Sequence, residues 1–136
     1  MPVLPFRSAA YWKRKFLFSA AERSFYEVLR RLIPAYTIFA KVRFADLISS
    51  PAPSKQHRHG IESKELDFLI CDATLAPVMA LEFDDKSAAE TDDRLVDAAL
   101  AEADVPVIHI PARRSYAMDE VRQWILPQLQ ASSSAC

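Results

Sequence analysis

The chain has one glycine, two cysteines and no long apolar run in its 136 residues. Each shortage excludes something. Cys71 and Cys136 stand far apart, so they form no disulfide framework, and a reducing, cytoplasmic setting is expected. No apolar stretch approaches the roughly 20 residues that span a bilayer. Arg7, Lys13, Arg14 and Lys15 crowd the N-terminus without a long apolar core behind them, which speaks against a signal peptide. The chain shows no internal repeat. Its glycine, Gly60, lies in the one clear loop, SSPAPSKQHRHGIES over residues 49–63.

What is present describes an ordinary folded domain. Hydrophobic residues make up 51% and charged residues 26% of the chain, the balance of a globular protein. A chain of this length buries a core without disulfides or structural metal. Three stretches are expected: a basic extension over 1–16, a single α/β domain over 17–130, and a fraying tail over 131–136.

The formal net charge of −1 conceals an asymmetry. Residues 1–64 hold twelve Lys/Arg and four acids, a net of +8, whereas residues 65–136 hold five Lys/Arg and fourteen acids, a net of −9. Two arrangements fit: a polyanion-facing surface beside a cation-binding pocket, or two halves that neutralise each other across the fold.

Hydrophobic periodicity gives the elements. Ser19-Ala-Ala-Glu22 has the form of a capping box, and Phe25, Val28, Leu29 and Leu32 follow at helical spacing. A helix is expected from Ala20 to Ile33, stopped by Pro34. YTIFAKVRF alternates as a strand, with Lys41 and Arg43 on one face and Ile38, Ala40 and Val42 on the other. KELDFLIC and VMALEFD read as a hairpin around Thr74-Leu75. A helix over 87–103 buries Leu95, Val96, Ala99, Leu100 and Ala103; VPVIHI is a short buried strand; a last helix over 117–130 turns Val121, Trp124 and Ile125 inward. The order α-β-β-β-α-β-α predicts a mixed sheet flanked by helices.

The hairpin carries the question of function. Symmetric pairing sets Asp67 opposite Glu82, and alternation puts Asp67, Leu69 and Cys71 on one face with Val78, Ala80, Glu82 and Asp84. Phe68, Ile70, Met79, Leu81 and Phe83 form the core face, and Asp85 points away. Three like charges this close need a proton, an arginine or a metal ion. Magnesium suits such oxygen ligands. Separate ion pairs with Arg43 or Arg23, or a register shifted by one residue, would account for the same acids.

AERSFYEVLRRLIPAYTIFAKVRFADLI, KELDFLICD, VMALEFDDKS and VPVIHIPARRSY together resemble the bacterial family known as domain of unknown function 2726, over roughly residues 17–116. That family is placed in the PD-(D/E)XK, restriction-endonuclease-like nuclease superfamily, near very-short-patch-repair-type endonucleases. The resemblance implies an αβββαβ core and Mg²⁺- or Mn²⁺-dependent hydrolysis of DNA phosphodiesters. It assigns Asp67 to the strand aspartate, Glu82 to the acidic position and Glu22 to the first-helix glutamate, with Asp84 as a further metal and catalytic candidate. The sequence departs from the pattern where a lysine is expected, at Asp84, and where relatives place a histidine, at Ala88. The Arg-Asp of relatives is Asp92-Asp93 here, with Asp97 one turn on. Lys86, of the same parity as Glu82 and Asp84, is the nearby replacement cation. The rival expectation is a non-catalytic module that retains the fold and binds nucleic acid or a protein.

The remaining candidates have plainer alternatives. Lys41, Arg43, Lys55, Arg58 and Lys64 either follow a phosphate backbone or solvate one face. His57 and His59 lack further ligands at zinc spacing and read as loop residues. His109 reads as a partly buried core residue, Cys71 as buried and inert, and Trp124 as core.

Overall fold

The computed structural model describes residues 10–49, 64–84 and 90–134. The long loop with Lys55, His57, Arg58, His59 and Gly60 lies outside the described residues, as do Asp85, Lys86, Ala88 and Cys136. The elements are α1 (Ala20–Leu32), β1 (Thr37–Arg43), α2 (Phe44–Leu47), β2 (Glu65–Cys71), β3 (Pro77–Asp84), α3 (Glu90–Glu102), β4 (Val107–Pro111) and α4 (Met118–Ser134). This is the expected order with one short helix added. α4 runs to Ser134, past the end expected at Gln130.

The four strands form one mixed sheet in the order β1-β2-β3-β4. β1 and β2 are antiparallel, as are β2 and β3, while β3 and β4 are parallel. The parallel pair is possible because α3 provides the crossover between them.

Local chemistry sets the helix ends. The Ser19 hydroxyl accepts from the Glu22 N–H at 3.1 Å, and the Glu22 carboxylate accepts from the Ser19 N–H at 2.7 Å. The reciprocal box satisfies two of the donors a helix start leaves open. Between β2 and β3, one Asp72 oxygen accepts from the Thr74 and Ala76 N–H groups and from the Thr74 hydroxyl. With glycine absent from this turn, Leu75 takes the left-handed conformation itself, at φ 67°.

The sheet separates two cores. On one face, Phe25 and Leu29 of α1 and Val121 and Ile125 of α4 cover Phe68, Ile70, Met79, Leu81 and Ile110. On the other, Val96 and Leu100 of α3 and Phe44 of α2 cover Leu66, Leu69, Cys71 and Ala80. Burying each large apolar side chain contributes about 1.5–3 kcal/mol. Leu95, expected inward, is 50% exposed, because α3 turns the narrower Val96–Leu100 stripe to the sheet.

Two irregularities alter the expected facing. The hairpin register matches expectation from Phe68↔Leu81 to Ile70↔Met79, then shifts at Cys71↔Pro77. The extra residue moves Val78 to the α1/α4 face, away from Ala80. In β1, Lys41 adopts φ 54°. Around it the pleat changes sides: Ala40 and Phe68 join one core, while Val42 and Leu66 join the other. Val42 therefore does not share a face with Ile38 and Ala40.

Candidate metal centre

Glu82 lies on β3 with Ala80, on the face covered by α3. It is the one buried charged side chain among the described residues, at 7% exposure. A buried carboxylate requires a compensating charge or hydrogen bonds. The parallel register supplies a neighbour, pairing Glu82 with His109 on β4. Ile110 alternates into the α1/α4 core, so His109 faces the other way, toward α3.

His109 is held on both ring nitrogens. Nε2 lies 2.7 Å from Asp97 Oδ2 on α3, and Nδ1 lies at ion-pair distance, 3.4 Å, from Asp84 Oδ1. Burial pulls the imidazole pKa down. The hydrogen bond and charge of Asp97, then the charges of Glu82 and Asp84, outweigh it and raise the pKa above the ordinary histidine value. His109 is thus not the partly buried core residue its apolar neighbours suggested. It is more than a third exposed at its side chain and belongs to an acidic cluster.

Glu82, Asp97 and His109 each offer a ligand atom, all within 4.8 Å of one another. Three carboxylates surround a single imidazole, so the cluster stays negative even with His109 protonated. Asp97 Oδ1 is buried without a hydrogen-bond partner among the described residues. An orphaned buried carboxylate oxygen in a negative site is what a cation would satisfy. Two carboxylates and an imidazole make a softer set than the all-oxygen shell magnesium prefers, and suit Mn²⁺ or Zn²⁺ better. The cluster can hold a metal.

Asp67 is next to the cluster across the hairpin, but its Oδ2 accepts from the Phe83 N–H at 2.8 Å. That side chain takes over where the β2–β3 pairing, last seen at Phe68↔Leu81, gives out. Asp84 is exposed and reaches His109. Glu22 has one oxygen in the capping box and the other 3.3 Å from Lys41 Nζ, so it is already engaged at α1. Burial pulls its pKa up, but the Ser19 N–H, Lys41 and the Ser19 hydroxyl together bring it below the ordinary carboxylate value.

Of the basic candidates, Lys41 pairs with Glu22, and Arg43 makes a two-pronged contact with Asp46 at 3.1 Å. Lys64 lies just before β2, where its carbonyl accepts from the Phe44 N–H.

The sequence alone does not single out Asp97 or His109 as site residues. Alternation in VPVIHIP places His109 opposite its isoleucines, and that signal was available. Its position beside Glu82 needed the parallel register, which alternation does not give.

Neither the curated proteins nor the solved structures compared with the chain gave a match. Residues 14–129 match the family described as Protein of unknown function (DUF2726), and with most of its length inside that match the chain belongs to the domain of unknown function 2726 family.

Proposed function

We propose that this is a metal-dependent nuclease-like domain acting on phosphodiesters, with Glu82, Asp97 and His109 as metal ligands. The observation that carries the reading is the convergence of those three side chains within 4.8 Å, with one Asp97 oxygen buried and, among the described residues, unpaired. Membership of the PD-(D/E)XK superfamily is supported by the order helix, three strands, helix, strand, with only the short α2 interposed. The Mg²⁺ or Mn²⁺ expected from the resemblance becomes, on the donor set, a preference for Mn²⁺.

When bound, the metal would supply Lewis acidity toward a phosphoryl oxygen and lower the pKa of a bound water. The protein's own residues divide the remaining tasks. Glu82 and Asp97 provide negative charge from a rigid strand and a packed helix. Asp84, against Nδ1, fixes the His109 ring so that Nε2 faces the ligand set. Asp67, tied to the Phe83 N–H, holds the end of β3 in place and keeps a further carboxylate beside Glu82.

One observation favours a second reading, a binding module without hydrolysis. The position where a catalytic lysine is expected is Asp84, and it contacts His109. A cleavage assay with Mn²⁺, Mg²⁺ or Zn²⁺ on single-stranded and duplex DNA decides between them. Metal-dependent cleavage lost in Glu82→Gln supports the nuclease. Metal binding without cleavage supports the module, and activity that survives in Glu82→Gln refutes the proposed site.

A further inference from the structure

The segment before α1 carries an exposed strip that the domain's own packing does not use. Tyr11, Trp12, Phe16 and Leu17 are 90%, 72%, 64% and 84% exposed. Between them stand Lys13, Arg14 and Lys15, all exposed. Four uncovered apolar side chains frame three consecutive cations, with Lys15 Nζ 5.5 Å from the Phe16 ring centroid, a combination that fits an anionic partner also offering apolar faces. A single-stranded nucleic acid has both: phosphates for the cations and bases that stack on aromatic rings.

The strip is anchored on α1 and β2. Phe18 ends it by packing on Phe68 and Tyr26, with ring centroids 5.6 and 5.5 Å apart. Phe68 directly follows Asp67 on β2. The first turn of α1 is tied to β1 by the Glu22–Lys41 contact. The strip therefore leaves the domain at the level of Asp67, on the α1 face of the sheet, while Glu82, Asp97 and His109 lie on the α3 face. A chain touching both must pass round the edge of the sheet. A duplex, with a persistence length of about 50 nm, resists such a turn, whereas a single strand follows it.

We infer that residues 11–17 form a docking strip for single-stranded nucleic acid, the polymer whose phosphodiesters the metal centre would act on; this rests on the nuclease-like reading. Lys13, Arg14 and Lys15 contact phosphates, and Tyr11, Trp12 and Phe16 stack on bases.

The test separates the two ideas. Binding of a fluorescein-labelled oligo-dT to the full chain is followed by anisotropy in EDTA, where metal chemistry is silent. Trp12→Ala and the triple change Lys13→Glu, Arg14→Glu, Lys15→Glu should each weaken binding at least about tenfold, a loss of the order of one stacked base. The triple variant should also flatten the salt dependence by about 2 in log–log slope, three phosphates at ~0.7 each. All these positions are exposed, and circular dichroism checks that the fold is kept. Unchanged affinity in both variants overturns the strip, and the nuclease reading then still stands or falls on its own cleavage assay. Strip-dependent binding with no cleavage in Mn²⁺, Mg²⁺ or Zn²⁺ keeps the docking site and removes the nuclease. Equal strip-dependent binding of duplex, or tighter binding to phosphatidylserine vesicles than to oligo-dT, overturns the inference in favour of a general polyanion or lipid surface.

Discussion

Metal binding at Glu82, Asp97 and His109 should appear as thermal stability, and its size can be worked out. A ligand that binds only the folded state, at 100 times its dissociation constant, stabilises by about 2.7 kcal/mol. At about 2.1 cal/mol/K per residue, the 136 residues give an unfolding entropy of about 0.29 kcal/mol/K. Mn²⁺ at that level should raise the Tm by about 9 °C. Loss of an outer-shell partner weakens metal affinity by 10–100-fold, so loss of a direct ligand should weaken it by at least about 100-fold. At the same Mn²⁺ concentration the stabilisation then falls to about 0.4 kcal/mol, a shift of about 1 °C. Differential scanning fluorimetry of Glu82→Gln, Asp97→Asn and His109→Gln, each with and without Mn²⁺, reads this directly. Asp67→Asn should keep most of the shift, because the clustered ligand atoms belong to the other three residues. A wild-type-sized shift in Asp97→Asn, or none in the wild type, refutes the assignment.

Three further outcomes concern the frame around the site. Glu22 has a lowered pKa in the fold, so its contribution is present above the ordinary carboxylate range and is lost as pH falls through the folded value; Glu22→Gln keeps the capping box but should flatten the acid limb of urea stability measured from neutral pH downward. Leu75 is left-handed and 58% exposed, so Leu75→Asn should raise stability by up to about 1 kcal/mol, and a lower urea midpoint would show that the turn needs the leucine. Phe25 is fully buried and its ring meets those of Phe68, Phe83 and Tyr116, so Phe25→Ala should lose about 3–5 kcal/mol in urea melts, and a loss under 1 kcal/mol would mean that the core collapses around the gap.

The fold was legible wherever one local rule governs. The capping box at Ser19 marked the start of α1, and the period of two in ELDFLIC and VMALEFD gave both core faces and the central hairpin register. It was not legible where the backbone leaves its regular path. Nothing in TIFAKVR marks Lys41 for φ 54°, yet that one residue sends Val42 to the opposite core from Ala40. The extra residue at Val78 is equally silent, because pairing from Ile70 to Phe68 is unaffected by it. α2 is a four-residue helix, too short for any periodicity to announce.

The site divides in the same way. Alternation along one hairpin predicts Asp67 opposite Glu82, but the strand pairing ends at Phe68↔Leu81 and the Asp67 carboxylate accepts from the Phe83 N–H instead. His109 reaches Glu82 through a crossover in which the pairing partner is chosen by how α3 packs, through Val96 and Leu100, against Leu69 and Ala80. The same packing brings Asp97, the residue after Val96, down to His109. Core packing therefore assembles the candidate metal site: the apolar stripe that seats α3 also determines which carboxylate faces the imidazole. Truncating Val96 should consequently loosen the Asp97–His109 contact as well as the core. That dependence separates a centre built by the fold from one formed by a chance run of acids at the end of a strand.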